Sequence, residues 1–263
     1  MSATDSRDDI DRVVPEEWSI TDDDQALAAL VNLIVVLADN KFFLGRRLSE
    51  WLSGAPSLES AVACAAITQE ELGHARALYP LLEEMPIVDT PGPLQRGHER
   101  TRKYCMSCLS EPWERWADVV AGLILVDPAL TTLLKALEHS RYDELRQRVA
   151  RIPGEEVFHR KYAEGRVRDL ARSDHGRETL QRHIDALLPE VLMWFGPERE
   201  AGVDALKDQG LLALDNEEMR AAFLDDVRPF LEETGLRLGG DGRGIRTDDL
   251  PWDRWNALQR RLD

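Results

Sequence analysis

The chain has 263 residues, 43% of them hydrophobic, and a formal net charge of −16. The hydrophobic content is ordinary for a globular protein with a sizeable core, and the acidic balance argues against binding to nucleic-acid phosphates or anionic membranes. No run approaches the 18 uninterrupted apolar residues of a membrane span, and the acidic start MSATDSRDDIDR is unlike a signal peptide. Three cysteines suit a reducing compartment, so we expect a cytoplasmic protein.

The first half of the chain predicts a polar tail followed by two long helices. Residues 1–20 are polar and predict a flexible tail. Apolar residues spaced by three and four begin after Asp22 and predict a helix that ends near Trp51–Gly54. Ala55-Pro56-Ser57 breaks this pattern, and a second helix is expected to begin at its proline or serine. Residues 85–111 contain five prolines and glycines and few periodic apolar positions, which predicts a long crossover.

The second half predicts another pair of long helices. One begins near Pro112 and contains Pro128, which should kink it. The next begins near Tyr142, and Pro153-Gly154 should distort it one turn before a Glu-x-x-His motif.

The remaining sequence predicts two further helices, at about 176–194 and 215–234. Gly239–Gly244 is expected to be a flexible link to a short C-terminal segment that contains Trp252 and Trp255.

No segment shows a strand pattern, so we predict an all-α protein, a ferritin-like four-helix bundle with a long crossover and extra C-terminal helices. The domain division that we expect is a flexible tail at 1–20, a helical domain at 21–235 and a C-terminal extension at 236–263.

Two Glu-x-x-His pairs, Glu71/His74 and Glu156/His159, lie 85 residues apart in the apolar seams of the second and fourth long helices. Residues at i and i+3 share one face of a helix and can bind one cation together. Two such motifs occur by chance in roughly one such chain in ten, but an ionised carboxylate in an apolar seam costs several kcal/mol unless a cation or hydrogen bonds compensate it. The pattern favours a metal site over the alternative, in which Glu and His bond each other or water.

Single residues on the other two long helices complete the pattern. Asp127 lies in an apolar run 29 residues before Glu156, and the equivalent position on the first long helix is Lys41, 30 residues before Glu71. A protonated lysine donates hydrogen bonds and cannot ligate a metal. Lys41 is therefore expected to pair with Glu71, Asp127 or Glu156 and so to replace a metal ion, or else to extend its ammonium to solvent.

Cys105 and Cys108 form a C-x-x-C motif. A zinc site would need two more ligands, for which only His98 and Cys64 are plausible. We favour the simpler interpretation of two reduced thiols near the start of a helix.

At these residues the chain resembles the phenylacetic acid catabolic protein family, the ferritin-like subunits of the bacterial phenylacetyl-CoA ring epoxidase. The resemblance covers about residues 25–235. The matching segments are Asn40 to His74, Val126 to Thr131, Leu145 to Ala150 leading to Glu155 to Arg160, and Leu187 to Pro189 leading to Trp194 to Pro197.

The resemblance implies a catalytic subunit with two irons held by a Glu on the first helix, two Glu-x-x-His motifs and an Asp or Glu on the third. The matching residues here are Glu71, His74, Asp127, Glu156 and His159, whereas the first-helix glutamate is replaced by Lys41. Glu71, Asp127 and Glu156 would be the catalytic carboxylates. The family also contains a structural subunit that has lost its metal.

Three functions follow as alternatives. The chain is a monooxygenase subunit with an altered iron site, or a catalytically silent scaffold for a catalytic homologue, or, less in keeping with the segments 85–111 and 195–263, a ferritin for iron or peroxide. The resemblance further implies an aromatic acyl-CoA substrate, a reductase component if the chain is catalytic, and pairing with a homologous subunit or a second copy.

Overall fold

The computed structural model describes residues 20–85, 102–239 and 246–263. Within these ranges the α-helices are α1 Asp24–Ser49, α2 Leu58–Glu84, α3 Ser107–Ser110, α4 Trp116–Leu137, α5 Asp143–Val149, α6 Ile152–Ala171, α7 Asp174–Trp194, α8 Ala201–Asp208 and α9 Asn216–Glu233. Short 3₁₀ helices at Thr247–Asp249 and Trp252–Arg254 precede a two-stranded antiparallel ribbon of β1 Trp255–Asn256 and β2 Arg261–Leu262. The predicted all-α class is confirmed.

Four long helices form the bundle, in two hairpins. α1 packs against α2, α4 packs against α6, and contacts of α1 with α4 and of α2 with α6 join the hairpins. Local signals start both helices of the first hairpin: the side chain of Asp23 accepts the first free amides of α1, and Ser57 does the same for α2. The helices α7, α8 and α9 pack around this bundle, against α4 and α1.

α1 and α4 form the centre of the core. Both are long and apolar enough to span a membrane, but 78% and 89% of their apolar windows are buried inside the fold. A core helix that is covered on all sides is apolar all round, so their composition is explained by packing.

The distortion predicted at Pro153-Gly154 is confirmed, but it falls slightly earlier. The chain leaves the helix at Ala150–Arg151, and Pro153 lies in the first turn of α6. Proline is tolerated there because first-turn amides have no helical acceptor. Pro128, in contrast, lies inside α4, which continues without a break from Trp116 to Leu137. The start predicted near Pro112 was four residues too early.

Several short elements were not predicted. They are the one-turn helix α3, the eight-residue helix α8 and the C-terminal ribbon. Their lengths fall below that over which periodicity can be read. The predicted tail at 1–20 lies almost wholly outside the described residues, as do most of the Gly239–Gly244 link and much of the crossover at 85–111.

The described end of the crossover is fastened to α1. Buried Asp39 accepts hydrogen bonds from the Tyr79 hydroxyl and the Tyr104 amide, both at 2.8 Å. Asn40 accepts from the Met106 amide at 3.0 Å. Asp39 and Asn40 directly precede Lys41 in the sequence. Their hydrogen bonds to the crossover therefore fix the backbone of α1 next to Lys41, whose side chain points into the bundle.

Candidate functional site

The six residues singled out from the sequence come from all four bundle helices. Lys41 lies on α1, Glu71 and His74 on α2, Asp127 on α4, and Glu156 and His159 on α6; each is at most 4% exposed. Because the motifs occupy the apolar seams, folding directs every one of these side chains into the bundle. The structure therefore brings the whole predicted set together.

Lys41 lies at the centre of the cluster that these six residues form. Its Nζ donates to Glu71 Oε1 at 3.0 Å, to Asp127 Oδ1 at 2.8 Å and to Glu156 Oε1 at 2.6 Å. Burial alone would lower the pKa of Lys41, but the three carboxylates outweigh burial and raise that pKa well above its usual value. Lys41 is therefore an ammonium with all three of its protons bonded, and it does not extend to solvent.

His159 occupies the other side of the same carboxylates. Its Nδ1 lies 3.2 Å from Asp127 Oδ2 and 3.0 Å from Glu156 Oε2, and its Nε2 lies 2.6 Å from Glu70 Oε2. Burial would lower the pKa of His159, but its hydrogen bonds to Asp127 and Glu156 raise it. Both ring nitrogens face carboxylate oxygens, so both carry a proton and His159 is an imidazolium.

His74 is the counterpart of His159 in the first hairpin, since each is the histidine of its Glu-x-x-His motif. Its Nε2 bonds Glu155 Oε2 at 2.8 Å, and its Nδ1 lies 3.2 Å from Glu156 Oε1, outside hydrogen-bond alignment. Burial opposes protonation of His74, but the contact with Glu156 prevails and raises its pKa.

The sequence interpretation missed the outer partners Glu70 and Glu155. They act reciprocally, because Glu70 on α2 holds the histidine of α6 and Glu155 on α6 holds the histidine of α2. The signal that could have found them was the glutamate directly before each motif, which makes both read Glu-Glu-x-x-His. Such partners fix the orientation and the proton positions of the imidazole rings.

The carboxylates of the cluster are not equivalent. Burial raises the pKa of Glu71 to about 7 against the opposing effect of Lys41, and Oε2 of Glu71 is buried without a hydrogen-bond partner among the described residues. For Glu156, burial is outweighed by Lys41 and His159, which hold its pKa well below the usual value. Glu71 can thus take up a proton near neutral pH, whereas Glu156 stays ionised.

Donor atoms from Glu71, Asp127, Glu156 and His159 lie within 4.8 Å of one another, which is a set that could hold a metal ion. A two-iron centre does not fit. Three carboxylates and the Lys41 ammonium leave a formal charge of −2, so two divalent ions would leave a buried excess of positive charge. With both histidines protonated, the charges of the six inner residues already sum to zero, and a proton on Glu71 would make that sum positive; the partly exposed Glu70 and Glu155 lie outside this sum.

The cysteines lie apart from this cluster. Cys64 and Cys105 are buried free thiols, and burial raises their pKa to about 11 and about 12, which keeps both protonated. Cys108 is a half-buried free thiol in α3. His98, the remaining ligand considered for zinc, lies outside the described residues.

Comparison with known proteins gives two relatives with the same sequence identity to this chain. They are subunits A and C of the 1,2-phenylacetyl-CoA epoxidase of Escherichia coli (strain K12). The chain is 26% identical to one of them over 231 residues, covering 81% of this chain and 74% of that protein. It is also 26% identical to the other over 224 residues, covering 81% and 88%. A family model described as phenylacetic acid catabolic protein matches residues 5–248. The chain therefore belongs to the phenylacetic acid catabolic protein family.

Proposed function

We propose that this chain is a ferritin-like subunit of a multicomponent aromatic acyl-CoA epoxidase of the phenylacetyl-CoA type, and that its role in the complex is structural. The similarity to two epoxidase subunits over most of their lengths supports the first part. The observation that carries the second part is the ammonium of Lys41, which bonds all three interior carboxylates.

Lys41 connects the bundle helices as a bound metal ion would, but it does not supply the chemistry of a metal ion. It joins α1 to α2, α4 and α6 at one buried point, as a bridging ion would. An ammonium has no redox chemistry and no open coordination position for oxygen. In this proposal a homologous catalytic subunit binds the acyl-CoA and receives electrons from a reductase, and the complex is cytoplasmic.

A second candidate is an oxygenase subunit that holds a single divalent ion, such as iron. It is favoured by the four converging donors and by the buried Oε2 of Glu71 that has no partner in the described part of the chain. The formal charge of −2 with neutral histidines equals the charge that one divalent ion would balance. This arrangement requires His159 to lose the proton that it shares with Asp127 and Glu156.

Metal analysis of protein purified without chelators separates these candidates. We expect less than 0.1 iron, manganese or zinc per folded wild-type chain, and an increase in iron in Lys41→Glu, which restores the missing carboxylate. About one ion per wild-type chain would favour the second candidate, and two would contradict both.

Two controls complete the experiment. Lys41→Gln removes the charge without supplying a carboxylate and should not gain iron. If Lys41→Glu folds poorly, anaerobic ferrous iron should raise its melting temperature but not that of the wild type. Co-expression with the epoxidase subunits of its source should recover the chain in a complex, and recovery only as free chain would contradict its proposed place in the epoxidase.

A further inference from the structure

An open cleft lies between the start of α4 and the second half of α7, and it has a volume of about 380 Å³. Its lining includes Cys108, Trp113, Arg115, Asp118, His183 and Glu190. We call it the α4–α7 cleft. None of the six residues of the ion-pair cluster lines it, and Asp118 precedes Asp127 by nine residues, which is about 13 Å along α4. Ligand pockets of proteins are roughly 300–1,000 Å³ in volume, so the cleft is large enough for a molecule with a single ring.

Trp113 forms a fixed aromatic wall of the α4–α7 cleft. Its Nε1–H donates to the carbonyl oxygen of Cys108 at 3.0 Å, so the one polar atom of the indole is already used. A Cβ at residue 122 would overlap the ring, so Gly122 is what allows the indole to lie against α4. The helices beside the ring contribute the small side chains of Ala121 and Ala186, which leave the space open. The half-buried indole therefore offers an aromatic surface on which a flat ring can stack without first having to be ordered.

Two acidic side chains of the cleft already have partners within the chain. Oδ2 of Asp118 accepts the backbone amides four and three residues before it, at 3.1 and 2.8 Å, and its Oδ1 lies 2.6 Å from Nδ1 of His183. Glu190 accepts two backbone amides at the start of α3, and burial raises the pKa of its carboxyl group. Because their oxygens are occupied, neither Asp118 nor Glu190 is available to bind a cationic ligand.

The basic groups of the cleft, in contrast, are free. Among the described residues, the guanidinium of Arg115 forms no ion pair and Nε2 of His183 has no hydrogen-bond partner. Both residues bond the carboxylate of Asp118, Arg115 through its backbone amide and His183 through Nδ1, so their free groups lie at the same end of the cleft. Arg115 is also the N-cap residue of the 22-residue helix α4, and the positive end of a helix dipole favours an anion. Glu114 is the opposing charge, but it is exposed at the rim.

We propose that the α4–α7 cleft binds a small aromatic carboxylate. The ring of the ligand stacks on Trp113, and its carboxylate accepts hydrogen bonds from the guanidinium of Arg115 and from Nε2 of His183, which is an imidazolium in the complex. A protein with a net charge of −16 repels anions over most of its surface, so an anionic ligand needs a local pair of free basic groups of this kind. The site is separate from the ion-pair cluster and is additional to the proposed role in the epoxidase.

Isothermal titration calorimetry of the purified full chain at pH 7 tests the ligand class with three probes. Benzoate has both the ring and the negative charge, and we expect it to bind with a Kd of about 1 mM or less, an ordinary affinity for a ligand of this size. Cyclohexanecarboxylate keeps the charge without an aromatic ring and should bind about 3-fold more weakly. Benzylamine keeps the ring but carries a positive charge, and it should bind at least about 10-fold more weakly.

Variants locate the binding in the cleft. Ala186→Trp fills the space beside Trp113 and should abolish benzoate binding, whereas Ala221→Trp, at an exposed position of α9, is the matched control and should bind as the wild type does. Arg115→Gln and His183→Gln should each weaken benzoate binding about 10-fold, because each removes a charged donor to the carboxylate.

Substitutions at the exposed rim keep the test decisive if Ala186→Trp folds poorly. Glu114→Gln removes the opposing charge and should strengthen benzoate binding about 2-fold, whereas Arg115→Gln should weaken it. The proposal is overturned if the wild type shows no saturable binding of benzoate up to about 10 mM, if benzylamine binds as tightly as benzoate, or if folded Ala186→Trp or Arg115→Gln binds benzoate as the wild type does. None of these measurements uses metal or epoxidase activity, so their failure leaves the proposed function standing.

Discussion

The two hairpins of the bundle are built on the same plan and differ at one interior residue. Each contributes a Glu-Glu-x-x-His motif, and each has a charged residue 29 or 30 positions before the inner glutamate. That residue is Asp127 in the second hairpin, where it accepts hydrogen bonds, and Lys41 in the first, where it donates them. A single change of sign therefore converts a set of six potential ligands into an ion-pair cluster centred on Lys41.

A second difference lies on the outside of the same motifs. The residue before the histidine is Gly73 in α2 and Phe158 in α6, and both are exposed. Inside the bundle each motif gives an inner glutamate bonded to Lys41 and a histidine held by the opposite helix, whereas outside the bundle the two residues differ in size. The interior difference bears on metal binding, and it can be varied separately from the exterior one.

The largest effect is expected from Lys41→Met, which removes the cation and keeps an unbranched side chain one heavy atom shorter. Three buried carboxylates would lose their common partner, and breaking a buried ion pair from one side costs about 3–5 kcal/mol. Chemical denaturation should show a loss of this size in the free energy of unfolding. The control Lys135→Met, at an exposed position of α4, should change it by less than about 0.5 kcal/mol. An equally small loss in Lys41→Met would mean that the cluster contributes nothing to the fold.

Asp127→Asn tests the second hairpin. The amide oxygen can still accept from Lys41, but the amide nitrogen would face Nδ1 of His159, where two donors would meet. We expect a loss of about 2 kcal/mol in the free energy of unfolding, whereas Asp225→Asn on the exposed face of α9 should be neutral. Unchanged stability in Asp127→Asn would show that Nδ1 carries no proton and is free to act as a ligand.

The smallest effects should come from the outer glutamates. Glu70→Gln and Glu155→Gln each weaken one charge-assisted hydrogen bond at a partly exposed position, so each should lower the free energy of unfolding by about 1 kcal/mol. The sharper prediction is that the two variants lose the same free energy of unfolding, because the Glu70–His159 and Glu155–His74 bonds occupy equivalent positions in the two hairpins. Denaturation curves that differ by more than about 1 kcal/mol would show that the equivalence ends at the inner residues.

The long helices and the inner cluster were predictable because their signals are periodic. An apolar seam of helical period places any polar residue within it on the inward side of the helix, and for this reason the periodicity places Lys41 and Glu71 on that side. The periodicity left open whether the Lys41 ammonium extends to solvent. Glu70 and Glu155 lie about 100° further round their helices, outside the seam. Whether such a side chain contacts a histidine on the neighbouring helix depends on the distance between the two helices. A local sequence pattern does not predict that distance.

Arg260, near the C-terminus, shows the same limit. It is buried, has a positive φ of 45°, pairs with Glu200 and donates to the carbonyl oxygens of Trp194 and Phe195. In the sequence it is one arginine in a short polar segment without periodicity. Its role arises from partners some 60 residues away, which only the packing of the C-terminal ribbon on the bundle brings together.

The sequence by itself determined the helical class, the two hairpins and the six charged or imidazole side chains that point inward, because helical periodicity is a local property of the chain. The tertiary structure decided how those charges are shared: it placed the Lys41 ammonium within 3.0 Å of three carboxylates and gave each histidine a partner on the opposite helix. Electrostatic energy depends on distances between elements far apart in sequence, and those distances are set only when the bundle closes.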